Sequence, residues 1–382
     1  MSRLGTETAF EVLVKARALE AQGRNVVHLE IGEPDFDTPQ NIKDAAVKAL
    51  MDGQTHYGPS AGQPILREAI AESISADRGF PVEPDEVVVV PGAKPIMFFG
   101  ILACVDEGDE VIYPDPGFPI YESLINFIGA KAVPSPLREE HEFRLDVEEL
   151  KSLVTPRTKM IIINSPQNPT GSALTKQDLE GIAEVAIKHN VIVMTDEPYC
   201  KMQYEGEHYS IMALDGMKEH TILIDGFSKT YAMTGWRLGY GIMNKELAAQ
   251  IAKLQTNSNS CVNSFIQFAG VEALRGPQDE SKRIIAEFKR RRDIIIPLLN
   301  GLPRMTCVMP KGAFYAFPSV RQYKTGCREL ADKILYDGGV ATLSGTAFGQ
   351  YGKGYLRLSY ANSVENLQEA VRRMRPVLEA AE

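Results

Sequence analysis

Between residues 86 and 243 the chain alternates repeatedly between two hydrophobic periods, and few architectures can accommodate that. Short runs rich in β-branched residues, "EVVVV", "DEVIYPDP", "TKMIIINSP", "VIVMTDEPY", "HTILIDGFSK" and "WRLGYGIM", read as strands. Between them lie helical patterns at 95–105, in "YESLINFIG" and in "TKQDLEGIAEVAIKHN". The strand runs are apolar on both faces, which suits a mostly parallel sheet covered by helices. The expected class is therefore α/β. From about residue 285 the pattern changes. A long helix, "SKRIIAEFKRRRDIIIPLLNGL", precedes a strand pair around "RMTCVMPKGAFYAFPS" and a further strand in "GYLRLSYA". The chain thus divides into a large domain over 41–284 and a smaller α+β domain over 285–382, with residues 1–40 forming an arm that completes the smaller one. The basic run Lys289–Arg292 sits in a helical pattern and reads as a solvated face.

In sheets of this kind ligands bind beyond the carboxyl ends of the strands. Polar residues collect there: Asn164 and Asn168 after one strand, Asp196 after the next, Lys229 after another. The stretch "GFSKTYAMTGWRLGYG" (226–241) sets Lys229 and Arg237 among glycines, hydroxyls and aromatics. Burying both cations demands an anion between them, and phosphate suits that role. A desolvated amine beside a second cation has a lowered pKa and is primed for imine formation. Together these demands describe a ligand carrying both an aldehyde and a phosphate. Taken singly, each feature has a plainer reading. A lysine normally sends its head to water, Asn-Pro-Thr-Gly is a turn, and Asp196 could cap a helix. Phe118 alone would be core, and Arg357 alone a solvent-facing strand arginine.

Other classes of function find little support. The 50 acidic residues outnumber the 41 basic ones, for a net charge of −9, which argues against a nucleic-acid surface. The five cysteines form no C-x-x-C, and six scattered histidines include no H-E-x-x-H. Reduced thiols and a cytoplasmic location are expected, without a metal centre. The first twenty residues mix charge with apolar positions at helical spacing, unlike a signal peptide, and no later run would span a bilayer.

The motif "SKTYAMTGWRLGYG" resembles the lysine motif of class I aminotransferases, the fold-type-I pyridoxal-phosphate enzymes of aspartate-aminotransferase type. "IGEPDFDTP", "HYGPSAGQPILREAI", "NSPQNPTG", "DEPY", "PKGAFYAFP" and "RLSYAN" follow the family's order along nearly the whole chain. The resemblance implies a ping-pong transfer of an amino group from an L-amino acid to a 2-oxo acid, 2-oxoglutarate being the expected acceptor. It implies that Lys229 holds the cofactor as an imine and then shuttles the substrate proton. Asp196 would pair with the cofactor's ring nitrogen, and Asn168 and Tyr199 would bond its phenolic oxygen. Gly92, Ala93, Lys94, Ser228 and Arg237 would hold the phosphate, and Phe118 would stack on the ring. Gly32, Asn168 and Arg357 would receive the substrate carboxylate. Tyr57 would reach the phosphate of a neighbouring subunit, which implies a homodimer with shared active sites. Two other outcomes fit the same lysine and aspartate. One is elimination at Cβ or Cγ; the other is a ligand-sensing domain, for which the motifs leave no room for a DNA-binding segment.

Overall fold

The computed structural model describes residues 3–381. One seven-stranded sheet forms the body, its strands ordered Val87–Val90, Gly239–Ile242, Thr221–Gly226, Ile192–Asp196, Thr158–Asn164, Glu110–Asp115 and Lys131–Pro136. Gly239–Ile242 runs antiparallel to both neighbours, and the other pairs are parallel. Side chains alternate into two apolar layers. Ile162, Met194 and Ile222 enter one cluster, while Ile161, Ile163 and Val193 enter another. Each such side chain, once removed from water, contributes about 1.5–3 kcal/mol.

Two departures from the sequence expectation have a common cause. The strand Lys131–Pro136 was not expected, because Pro134 and Pro136 interrupt its pattern. It lies at the sheet edge, where a missing N–H need not find a partner. The expected strand pair around 305–318 shrinks because of prolines as well. Only Tyr315–Ala316 pairs, within a three-stranded sheet with Leu356–Ser359 and Leu343–Ser344. Thr306 makes a single bridge to Ser319, and prolines at 303, 310 and 318 stop the ladder from extending.

The basic run is also not the solvated face expected of it. Helix Asp279–Asn300 exposes Lys289 and Arg290 but buries Arg291 and Arg292. Arg292 donates to the Pro310 carbonyl at 2.8 Å and pairs with Glu205 at 3.0 Å. Arg291 pairs with Asp35 at 2.6 Å and Glu287 at 3.0 Å, and its guanidinium lies 4.8 Å from the Phe36 ring centre. Arg291 thereby pins segment 31–38 to the C-terminal lobe. The same segment is tied to the sheet body through Thr38, whose hydroxyl donates to the Ala232 carbonyl at 2.6 Å. Arg291→Ala strands Asp35 and removes the ring contact. It should cost about 2–4 kcal/mol, visible as a fall in thermal midpoint; an unchanged melt would show that the segment is held without it.

Candidate active site

The sheet delivers functional groups to one rim because its parallel strands all end there. Asp115 to Phe118, Asn164 to Asn168, Asp196 to Tyr199 and Gly226 to Lys229 each follow such a strand. Arg237 reaches the same rim from the opposite direction, since it precedes the antiparallel strand Gly239–Ile242. Residues of the three-stranded sheet and of segment 31–33 face this rim, and between them and the rim lies a cavity of about 450 Å3. Gly32, Ala93, Lys94, Phe118, Asn168, Asp196, Tyr199, Ser228, Lys229, Arg237 and Arg357 all line it.

Lys229 stands at the centre. Its Nζ donates to the Gly32 carbonyl at 2.6 Å and lies 5.9 and 5.7 Å from the ring centres of Tyr199 and Phe314. Desolvation brings its pKa down to about 8; nearby Arg357 lowers it further, while Glu33 and Glu7 oppose the shift. An amine with this pKa exchanges protons readily near neutrality.

Asp196 is buried, and burial pushes its pKa up to about 7. The Tyr121 hydroxyl donates to its Oδ2 at 2.6 Å and works against that rise, whereas Asp225 and Glu197 reinforce it. Those two carboxylates are themselves bridged by buried Arg78, at 3.0 and 3.1 Å. Among the described residues no ion pair reaches Asp196, so its negative charge awaits a cation from within the cavity. The consequence for stability is directional. A carboxylate whose folded pKa lies above its unfolded one stabilises the chain at low pH, and that contribution is lost as pH rises through about 7. Asp196→Asn in the cofactor-free protein should therefore be nearly neutral at about pH 4 and raise the thermal midpoint at about pH 8. Equal midpoints at the higher pH would mean that the carboxylate ionises there without cost.

Arg357 is buried on strand Leu356–Ser359, where one would expect a solvent-facing side chain. The Tyr315 and Phe348 rings flank its guanidinium at 4.7 and 5.0 Å, and Nη1 donates to Asn168 Oδ1 at 3.4 Å. Nη2 donates to the Glu30 carbonyl, and Nε has no partner. A buried guanidinium with an unsatisfied N–H is a ready receptor for a carboxylate. Gly32 comes close because it lacks a side chain: a Cβ there would lie 2.2 Å from the Tyr315 hydroxyl.

Opposite lies an anion cradle. Helix Lys94–Cys104 starts at the cavity with no side-chain cap; Pro95 has no N–H and the Ile96 N–H donates to the Ala93 carbonyl at 3.1 Å, so the N–H groups of Ala93 and Lys94 are the ones a cavity anion could use. Gly92 is buried behind the cavity wall; a Cβ on it would lie 2.1 Å from Arg237 Nη2. Arg237 is more open than its sequence surroundings suggest. It is exposed, with Nη1 donating to the Thr234 carbonyl at 2.9 Å. Tyr57 does not join the cavity of its own chain. It is 90% exposed and borders a separate recess with Gln54, His56 and Cys261.

Several lining residues escaped the sequence reading. Tyr315 lies inside the stretch "PKGAFYAFP", and its hydroxyl bonds the Tyr199 hydroxyl at 2.7 Å; fully buried Tyr121 stands behind the wall, against Asp196. Glu7 meets Lys94 at the cavity mouth, and Phe10, Glu33 and Phe348 also line the wall. Only the position of Tyr121, three residues after Phe118, offered a signal.

These groups fit pyridoxal phosphate. A lysine of lowered pKa, a buried carboxylate lacking a cation, an aromatic wall at Phe118 and an anion cradle at Arg237 share one cavity. Comparison with known proteins agrees. Residues 24–374 match the family model described as aminotransferase class I and II. The chain is 45% identical over 361 residues to an aspartate aminotransferase of Pyrococcus abyssi, covering 93% of this chain and 92% of that one. It is 42% identical to aromatic-amino-acid aminotransferase 2 of Thermococcus litoralis, covering 94% and 93%. Aspartate aminotransferase from Thermus thermophilus with maleate superposes with a TM-score of 0.94 at 37% identity, covering 99% of each chain. The protein thus belongs to the class I and II aminotransferases and is a pyridoxal-phosphate-dependent transaminase of fold type I.

Proposed function

We propose that the chain moves the amino group of an acidic or aromatic L-amino acid to 2-oxoglutarate by a ping-pong route. The observation that carries this reading is buried Arg357 with its unpartnered Nε, set beside Asn168 in the cavity that holds Lys229. An amino acid and a 2-oxo acid share one feature, the α-carboxylate, and both half-reactions need the same receptor for it. Arg357 and Asn168 orient that carboxylate, which brings the substrate Cα toward Lys229. Lys229 takes the Cα proton and returns it during the opposite half-reaction. Asp196 would place negative charge beside the cofactor ring, and Tyr199 with Asn168 would bind its phenolic oxygen. Arg237, Ser228 and the helix start at Gly92–Lys94 would hold the phosphate. Bound pyridoxal phosphate supplies the electron sink that makes the Cα proton acidic. Tyr315, Phe348 and the arm residues Glu7 to Phe10 limit water. The domain division over 41–284 and 285–382 is part of this reading, with the cavity lying between the two.

The donor class rests on the named relatives and on the cavity mouth, where the Lys94–Glu7 ion pair stands near apolar Phe10 and Leu343. We propose further that the working unit is a homodimer. Val47, Leu50 and Met51 are exposed on one helix close to exposed Tyr57, a surface that a second copy would cover. Sedimentation should give twice the chain mass, and Tyr57→Ala should weaken cofactor retention.

A donor screen against 2-oxoglutarate and pyruvate, with ammonia measured in parallel, tests the reaction. Ammonia released in step with turnover would indicate elimination and overturn transfer. Arg357→Lys should raise KM for every amino donor alike, by about tenfold, because an ammonium cannot offer two parallel N–H donors. A loss confined to one donor would mean that Arg357 reads the side chain instead.

A further inference from the structure

Asp115 is 1% exposed, ends strand Glu110–Asp115, and has no ion-pair partner among the described residues. Burial pushes its pKa up to about 6, against the pull of two backbone N–H groups. Both come from the other lobe: Gln350 N–H donates to one oxygen at 3.0 Å and Tyr351 N–H to the other at 3.1 Å. A third bond reinforces the junction, from Gly117 N–H to the Phe348 carbonyl at 2.8 Å. Gly349 lies over the carboxylate with φ 124°, and a Cβ there would sit 2.1 Å from Asp115 Oδ1.

A buried carboxylate without a cation is costly, and a neutral side chain could close a turn more cheaply. What this one closes is the loop at 345–352, which places Phe348 against the Arg357 guanidinium. On its own side, Asp115 begins the segment that carries Phe118, the aromatic wall of the cofactor cavity. The junction thus joins the carboxylate receptor in one lobe to the cofactor wall in the other. Charge-assisted bonds to two successive N–H groups hold the loop in one register.

We propose that Asp115 is a positioning residue for Arg357, fixing through loop 345–352 and Phe348 the distance between the substrate-carboxylate receptor and the cofactor-bearing lobe. This rests on the assignment of Arg357 as the α-carboxylate receptor. Nothing in the sequence pattern of Asp115 marks it for such a role, because the bonds reach 235 and 236 residues along the chain.

The test uses holoenzyme of wild type, Asp115→Asn, Gly349→Ala and Arg357→Lys. Asn is isosteric but keeps one acceptor oxygen, so it breaks one of the two N–H bonds. Ala at 349 pushes a methyl group into the carboxylate from the other side. Two quantities are read. One is the calorimetric Kd of 3-phenylpropionate and of succinate, carboxylates with no amine to react. The other is the ratio of kcat/KM for phenylalanine over 2-phenylethylamine, and for aspartate over β-alanine, pairs that differ by the α-carboxylate. Positioning predicts that Asp115→Asn and Gly349→Ala each weaken carboxylate binding about tenfold and shrink the ratio to match, while turnover of the amines is retained. General damage would lower amino acid and amine alike; that result, or unchanged binding in both variants, overturns the proposal. If Arg357→Lys loses carboxylate selectivity while both latch variants keep it, the receptor assignment stands and the role of Asp115 falls. If Arg357→Lys also keeps it, both fall.

Discussion

Lys229→Ala should yield a folded protein whose kcat is lower by roughly 10⁴-fold or more, since it removes the amine that relays the substrate proton. No neighbour can substitute. Lys94 is the other lysine of the cavity, but it sits at the mouth, paired with Glu7 and 5.3 Å above the Phe118 ring. With its pKa brought to about 8, the lysine at 229 is suited to proton relay near neutral pH, whereas an ordinary surface amine supplied in solution would remain protonated there. Borohydride reduction should fix the cofactor to the peptide containing Lys229 in wild type and to no peptide in the variant. Normal turnover by Lys229→Ala, or a cofactor adduct on another lysine of the wild type, would remove Lys229 from the chemistry.

Asp196→Ala should retain some cofactor yet lose most of its rate. A charge pair at ~4 Å in an effective dielectric of ~20 is worth about 4 kcal/mol gross, which corresponds to about 10³-fold in rate. Two features suggest that the full effect is realised. The carboxylate is buried, and among the described residues no ion pair reaches it, although Lys229 in the same cavity favours its charged form. Tyr121 holds one oxygen, so the orientation of the other is set before any ligand arrives. Tyr121→Phe, by contrast, should retain the charge and lose only the orientation, giving a smaller deficit. An unchanged kcat in Asp196→Ala would exclude the electron-sink role.

The sheet and the rim residues were legible because they are local. Strand runs, their polar exits and the Asn168, Asp196 and Lys229 series each need only a few consecutive residues to be seen. Asp115, Phe348, Glu7 and Tyr315 were not legible as site residues, because each acquires its place through a partner more than eighty residues away: Gln350, Gly117, Lys94 and Tyr199 in turn. Arg291 and Arg292 show the same limit from the other side. A basic run on a helix carries no local sign of which members turn inward, and only Asp35, Glu205 and the aromatic rings of Phe36 and Tyr204 decide it. The edge strand Lys131–Pro136 was hidden by prolines that an interior strand could not tolerate, so its sequence misreports its conformation but reports its location.

Segment 31–38 is anchored to both lobes, by Arg291 on one side and by Thr38 on the other. A tether fixed at both ends cannot lengthen when the lobes separate, and the Asp115 junction restrains a second side of the cavity. The border formed by Glu7, Thr8 and Phe10 is held by the Glu7–Lys94 ion pair, and there the Phe10 ring is 58% exposed. The cavity is therefore walled on that side by small contacts between single side chains, where the other two sides are held by bonds that join distant segments.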